Sequence, residues 1–174
     1  MLKNPRAIGT VAPSSAALSR AMADEAKGLS RVLELGAGTG PVTRALLERF
    51  PAQAITSVEV QPALCRQLRK RFPDVRVIEG DALEALQALD AEEATAVVSS
   101  LPFRSLPLEV AQGLAREAAQ MLHRCPGSRW IQFTYHHKEP FEAPVGWGWR
   151  RAARVFTNLP PARVWVLEPA ARDS

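Results

Sequence analysis

The chain has only two cysteines in 174 residues, Cys65 and Cys125. They show no C-x-x-C spacing and no cluster of partner ligands, which argues against a disulfide framework or a zinc site and suits a reducing compartment. Histidine is scarce as well. His136 and His137 are neighbours, and on a strand neighbours point to opposite faces, so simple spacing gives them no shared metal. No metal is expected. No stretch approaches the roughly 18 apolar residues of a membrane span. Met1-Leu2-Lys3-Asn4-Pro5 lacks the apolar centre of a signal peptide. The expected location is therefore the cytoplasm. Neither sign of charge dominates: 22 Lys plus Arg against 18 Asp plus Glu leave +4, which permits an anionic partner but demands none. There is no internal repeat and no low-complexity tract. The length and an apolar share of 47% fit one globular domain spanning residues 1–174.

What the chain does have is one stretch around which the rest falls into order, Val32-Leu33-Glu34-Leu35-Gly36-Ala37-Gly38-Thr39-Gly40-Pro41. It reads as a short apolar strand, a glycine-rich turn and a helix start. Glycines at alternate positions let the backbone turn sharply and lie flush against a ligand. The next apolar run, residues 55–58, closes on Glu59, nineteen positions after Gly40. A carboxylate there is where an α/β nucleotide-binding fold grips ribose hydroxyls. The spacing is G-x-G-x-G rather than the G-x-G-x-x-G of dinucleotide sites, and Pro41 follows at once. A nucleoside cofactor without a pyrophosphate fits better.

Residues 1–12 read as irregular. Ser14 and Ser15 are candidate caps for a helix from Ala16 to about Lys27, ended by Gly28, so that residues 1–28 form a segment and helix over the cofactor site. Strands are expected over 31–35, 55–60, 75–78, 94–100 and 129–136. Helices are expected over 42–50, from Pro62 along the Leu64, Leu68, Phe72 stripe, over 83–89 and over 108–123. The basic residues Arg66, Arg69, Lys70 and Arg71 are expected on the wetter sides of that Leu64 helix. Residues 138–151 read as a loop, followed by two strands, 153–158 and 162–167, joined by Leu159-Pro160-Pro161. Alternating strands and helices imply an α/β fold with a mostly parallel seven-stranded sheet, helices on both faces and a C-terminal antiparallel hairpin.

Glu34-Leu-Gly36-Ala-Gly38-Thr-Gly40, Glu59 after the second strand, and Gly80-Asp81-Ala82 after the third resemble the first three motifs of class I S-adenosylmethionine-dependent methyltransferases. The resemblance implies a Rossmann-like fold and S-adenosyl-L-methionine as cofactor. It places Gly36, Ala37 and Gly38 under the methionine part, Glu59 on the ribose hydroxyls, Val60 on the adenine and Asp81 on the adenine amino group. Glu34, Gly40, Gly80 and Ala82 complete the implied cofactor set. Further motifs narrow the likeness: residues 4–15, Ser100-Leu101-Pro102, Gln132-Phe133-Thr134-Tyr135, and 158–165 resemble the bacterial phospholipid N-methyltransferases, relatives of the rRNA adenine dimethyltransferases. That family methylates the amine of phosphatidylethanolamine toward phosphatidylcholine. The resemblance thus implies a phospholipid substrate and a peripheral place on the inner membrane.

Methyl transfer to an amine needs positioning and a way for the ammonium to lose its proton. Ser99, Ser100, Leu101, Pro102 and Phe103 occupy the place where many N-methyltransferases carry Asn/Asp-Pro-Pro-Tyr/Phe. Serine stands where that motif has an amide or acid, which argues against adenine and agrees with a flexible lipid amine. Phe103 is expected to face a methylated ammonium, and Tyr135 to bind the amine or relay its proton. His136 or His137 is a candidate proton acceptor, and Arg104 a candidate for a lipid phosphate. Members of the family resemble one another in a basic amphipathic helix ahead of the Asn-Pro element, and three residues precede Asn4 here. A second candidate contact with an anionic membrane surface is Gly146-Trp147-Gly148-Trp149-Arg150-Arg151, with Arg154 close by. No nucleic-acid partner is expected. Two other functions remain open on the same residues: an RNA (adenine-N6) or small-molecule methyltransferase, and a non-catalytic lipid-binding module that keeps the cofactor pocket.

Overall fold

A computed structural model describes residues 15–89, 93–158 and 160–170. Most of the Asn4–Ser15 element of the resemblance, Ser14 and Leu159 lie outside them. The elements in chain order are α1 (Ala16–Glu25), β1 (Arg31–Leu35), α2 (Pro41–Leu47), a 3-10 turn (Ala52–Ala54), β2 (Ile55–Glu59), α3 (Pro62–Arg71), β3 (Arg76–Glu79), α4 (Ala82–Gln87), β4 (Thr95–Ser99), α5 (Leu108–Arg124), β5 (Arg129–Thr134), β6 (Trp147–Val155) and β7 (Ala162–Pro169).

The strands form one seven-stranded sheet in the order β3-β2-β1-β4-β5-β7-β6. The first five are parallel, and β7 runs antiparallel to both β5 and β6. The chain thus starts in the middle, winds outward to β3, and returns to lay β4 beside β1. Such a reversal leaves a crevice beyond the carboxyl ends of β1 and β4, where an open α/β sheet takes its ligand. β1 and β4 are both buried over nearly their whole length, as strands covered on two faces must be.

Alternation along the strands feeds two cores. Val32, Ile55, Val98, Ile131, Val164 and Val166 meet Leu18, Met22, Leu46 and Leu68 on one face. Leu33, Leu35, Val97, Trp130 and Leu167 meet Leu86, Leu114, Met121 and Leu122 on the other. α5 carries that second core because Leu114, Ala118, Met121 and Leu122 recur at helical spacing. Full burial of each large side chain here contributes about 1.5–3 kcal/mol. At the start of α1, Ser15 caps the helix by accepting from the Leu18 N–H at 3.2 Å. Its hydroxyl also donates to Asn158 Oδ1, tying the helix start to the β6–β7 turn.

The structure corrects three sequence expectations. The fifth strand stops at Thr134, so Tyr135, His136 and His137 lie beyond it. The second helix ends at Leu47, short of Phe50. The largest change is that the expected 138–151 loop ends in strand: β6 starts at Trp147, directly after Gly146 with φ 83°. As the edge strand it shows little alternation of burial, and a bulge between Arg151 and Ala153 shifts its register, so the period-2 signal is lost. Trp147 and Trp149 are half-buried against the second core, and Trp149 Nε1 donates to the Phe141 carbonyl at 2.9 Å. Arg150 donates to Glu25 and Glu168, both at 2.9 Å. The tryptophans and Arg150 of the Gly146–Arg151 stretch are therefore engaged by the fold itself.

Candidate active site

The turn after β1 is built by its own backbone. The Gly36 and Ala37 N–H groups donate to the Val58 carbonyl at 2.9 and 3.1 Å, so the turn docks on the end of β2. Gly36, Gly38 and Gly40 all have positive φ, 73°, 58° and 86°. Their roles differ. A Cβ on Gly36 would stand 3.1 Å from Leu101 Cδ2, so this glycine lets the β1 turn and the β4 turn approach. A Cβ on Gly38 would meet nothing within 4 Å, leaving an open backbone concavity. A Cβ on Gly40 would stand 2.5 Å from Phe72 Cε2 and 3.0 Å from Leu68 Cδ2. Gly40 is thus required by the packing of α2 on α3, a second demand beside its expected place in the cofactor set.

Glu59 is 6% exposed and sits under this turn. Its Oε2 accepts from the Gly38 N–H at 2.8 Å and its Oε1 from the Gln61 N–H at 2.9 Å. Each oxygen keeps a lone pair for a further donor. Val60, next in the chain, is 63% exposed. Asp81 caps α4, its Oδ1 accepting from the Leu83 N–H at 2.7 Å, and its second oxygen makes no hydrogen bond among the described residues. The Gly80 N–H donates to the Glu59 carbonyl at 3.1 Å, which brings the second and third motifs side by side, and Ala82 opens α4.

Glu34 lies one layer deeper and is fully buried. Its Oε2 accepts from Ser57 Oγ at 2.6 Å and Thr43 Oγ1 at 2.7 Å, while its Oε1 has no partner among the described residues. Burial pushes this carboxyl up to about 6 from 4.5, against the pull of the Ser57 and Thr43 hydrogen bonds, with the Glu59 charge adding to the rise. Ser57 and Thr43 were not singled out in the sequence. Glu34 and Ser57 are register partners on β1 and β2, a relation visible only once the sheet is assembled.

On the other side of the crevice, the turn after β4 is equally braced. The Ser100 N–H donates to the Leu35 carbonyl at 2.9 Å, and the Leu101 N–H to the buried Ser99 Oγ at 3.3 Å. Gln132 Nε2 donates to the Leu101 carbonyl at 2.9 Å, a support with no advance signal beyond its place in the Gln-Phe-Thr-Tyr run. Ser100, Leu101 and Pro102 are half-buried, and the Ser100 hydroxyl makes no hydrogen bond among the described residues. Phe103 departs from expectation. It is 6% exposed, tilted on Phe141 at 4.9 Å and edge-on to Trp130 at 6.1 Å between ring centroids. Both neighbours are distant in sequence, and they turn Phe103 into a core ring with no face for an ammonium. Tyr135 is half-buried, edge-on to Phe133 at 5.3 Å, and packs on the first core. His136 and His137 are exposed, and among the described residues no group of three or more His, Cys, Asp or Glu could hold a metal.

These features fit S-adenosylmethionine. The carboxylates of Glu59 and Asp81 keep acceptor capacity for its hydroxyls and amino group, the Gly38 concavity admits close approach, and Glu34 is buried behind them.

The known proteins agree. A family model described as a methyltransferase domain matches residues 32–124. An ornithine lipid N-methyltransferase from Singulisphaera acidiphila is 35% identical over 179 residues, covering 92% of this chain and 88% of the relative. A ribosomal RNA small subunit methyltransferase A from Chlorobaculum parvum is 37% identical over 73 residues, 41% of this chain and 26% of the relative. In three dimensions the 23S rRNA methyltransferase ErmE superposes with a TM-score of 0.63 at 19% identity, over 91% of this chain and 70% of that one, a likeness of fold. Sheet order, glycine turn and these matches together make the chain a member of the methyltransferase-domain family, a class I S-adenosylmethionine-dependent methyltransferase.

Proposed function

We propose that the protein N-methylates the amine of a membrane-lipid headgroup, phosphatidylethanolamine and its methylated derivatives or an ornithine lipid, and that residues 1–174 act as one domain at the membrane surface. The observation that carries this reading is the likeness to an ornithine lipid N-methyltransferase along 92% of the chain. The likeness to an rRNA methyltransferase spans only 41% of the chain. Ser99 and Ser100 in place of an amide or acid support the same choice, because a hydroxyl accepts from a mobile amine without the planar grip that adenine needs.

S-adenosylmethionine, when bound, supplies a methyl already activated by a sulfonium. The chain's residues have four tasks. Gly36, Ala37 and Gly38 offer a backbone floor. Glu59 holds the ribose hydroxyls with its remaining lone pairs, already oriented by the Gly38 and Gln61 amides. Val60 covers one adenine face and the second oxygen of Asp81 takes the adenine amine. Ser100 and Tyr135 offer hydroxyls to the attacking amine and to the proton it sheds, while Leu101 and Pro102 shape the opening. Desolvation by this half-buried wall favours the neutral amine, the form that attacks.

Incubation with methyl-labelled cofactor and three separate acceptors tests the reading: phosphatidylethanolamine vesicles, ornithine-lipid vesicles and total ribosomal RNA. Label in a lipid fraction is expected. Label in RNA alone, or a cofactor bound and never consumed, overturns it.

A further inference from the structure

Arg163, near the start of β7, is 4% exposed. A buried guanidinium is costly unless a counter-charge meets it. Three less buried arginines of this fold have such partners: Arg49 with Asp24 and Glu48, Arg124 with Glu117, Arg150 with Glu25 and Glu168. Arg163 has none among the described residues. Its Nη2 donates to His137 Nδ1 at 2.7 Å, and its buried Nε has no partner. Across the ladder, its register partner on β6 is Arg154, a like charge on the same face of the sheet. Opposed like charges destabilise a strand pair. Arg154 finds relief over the exposed Phe156 ring at 4.6 Å, but Arg163 has no such outlet.

The place explains what could satisfy it. His137 lines a cleft of about 540 Å³ together with Arg104, Lys138, Glu139, Glu142 and Trp165. Arg104 directly follows Phe103, so the cleft opens beside the turn that carries Ser99 and Ser100. Arg104 and Lys138 also lack ion pairs among the described residues. With its Nδ1 accepting from Arg163, the neutral His137 ring carries its proton on Nε2, a further donor. Glu139 and Glu142 bring the opposite sign to the same wall, as a ligand with both charges requires.

We propose that His137 and Arg104, which line the cleft, with the buried Arg163 directly behind His137, form the seat for the anion of a zwitterionic lipid headgroup. That anion is a phosphodiester in an ethanolamine lipid and a carboxylate in an ornithine lipid. Its capture here sets the amine of the same headgroup at the β4 turn. This rests on the lipid reading above and adds its specificity determinant: the site selects aminolipids that also carry an anion.

The test compares kcat/KM for three aminolipids, each diluted in phosphatidylcholine vesicles: phosphatidylethanolamine, an ornithine lipid, and sphingosine, which has the amine and no anion. The wild-type protein is expected to prefer the two zwitterions, and Arg163→Leu to lower the ratio of zwitterion to sphingosine at least about tenfold, with Arg163→Lys restoring part of it. A ratio cancels any general loss of folded protein. Should Arg163→Leu not fold, the exposed pair Arg104→Ala and His137→Ala is expected to lower the same ratio about threefold. If only one zwitterion loses its preference, the seat is for that anion alone. An unchanged ratio in both variants overturns the anion seat while leaving the lipid reading intact. No transfer to any aminolipid, or transfer to RNA alone, overturns both.

Discussion

Glu59 and Arg163 are buried charges at the same strand end of one sheet, where the parallel strands finish, and they are satisfied in opposite ways. Both oxygens of Glu59 accept a backbone N–H, from Gly38 and Gln61, so that its position is fixed by the chain whether or not a ligand is present. Arg163 meets a histidine, a like-charged register partner and no carboxylate among the described residues. The difference extends to the two halves that hold them. On the β1–β3 side, turns are short and docked on neighbouring strands through main-chain hydrogen bonds. On the β5–β7 side, residues 135–146 form a longer connection, and an open cleft lies against it. The family model stops at residue 124, before β5. The half inside the family model is fixed by main-chain hydrogen bonds, and the half beyond it carries the longer connection and the cleft.

The sharpest way to break this contrast is Glu59→Ala. Two backbone amides lose their acceptor and the ribose loses its grip. The expected result is at least a hundredfold loss of cofactor affinity by calorimetry, with about 2 kcal/mol off stability in denaturant melts. Retained affinity would detach Glu59 from the cofactor. The glycines of the turn divide next. Gly40→Ala drives a methyl into Phe72 at a positive φ and is expected to cost about 2–4 kcal/mol of stability. Gly38→Ala has room and is expected to cost only about 1 kcal/mol of stability while weakening cofactor binding. Equal melts for the two variants would mean that the packing distinction is false.

Glu34 supplies a pH test. Its carboxyl titrates at about 6 in the fold against 4.5 when free. The native state therefore holds an extra proton between those values, so this group's contribution is fully present below pH 4.5 and is lost as pH rises through about 6. The loss is about 2 kcal/mol. Glu34→Gln is expected to flatten that part of a stability–pH curve; a curve identical to wild type would remove Glu34 as its source. The smallest effect concerns the acceptor half. Trp149→Phe removes the hydrogen bond to the Phe141 carbonyl and is expected to lower stability by about 1 kcal/mol without changing vesicle binding, measured by co-sedimentation. Loss of vesicle binding would return the tryptophan strand to the membrane.

The same two halves differ in how much the residues reveal before folding. The glycine turn, Glu59 and Asp81 were legible because strand, turn and helix follow one another within a few residues, and each acid sits at a strand end. The parallel sheet was legible from alternation, and the closing hairpin from Pro160-Pro161 between two apolar runs. Glycine spacing does not disclose that Gly40 also serves packing, because Phe72 lies where its Cβ would be only after folding. Phe103 looked available because Trp130 and Phe141, which bury it, come from later elements. β6 looked like a loop because an edge strand with a bulge and a glycine keeps no clean period. Arg163 sits in the 158–165 stretch of the resemblance, where the sequence gives it no role of its own. Its missing counter-charge is a property of assembled strands.

The central claim is methyl transfer to a lipid amine, and mass spectrometry of the aminolipid after incubation with the protein and S-adenosylmethionine tests it most directly. The account predicts one or more methyl groups added at the headgroup nitrogen of phosphatidylethanolamine or ornithine lipid, dependent on Glu59. Unmodified lipid in both vesicles beside methylated RNA would contradict it.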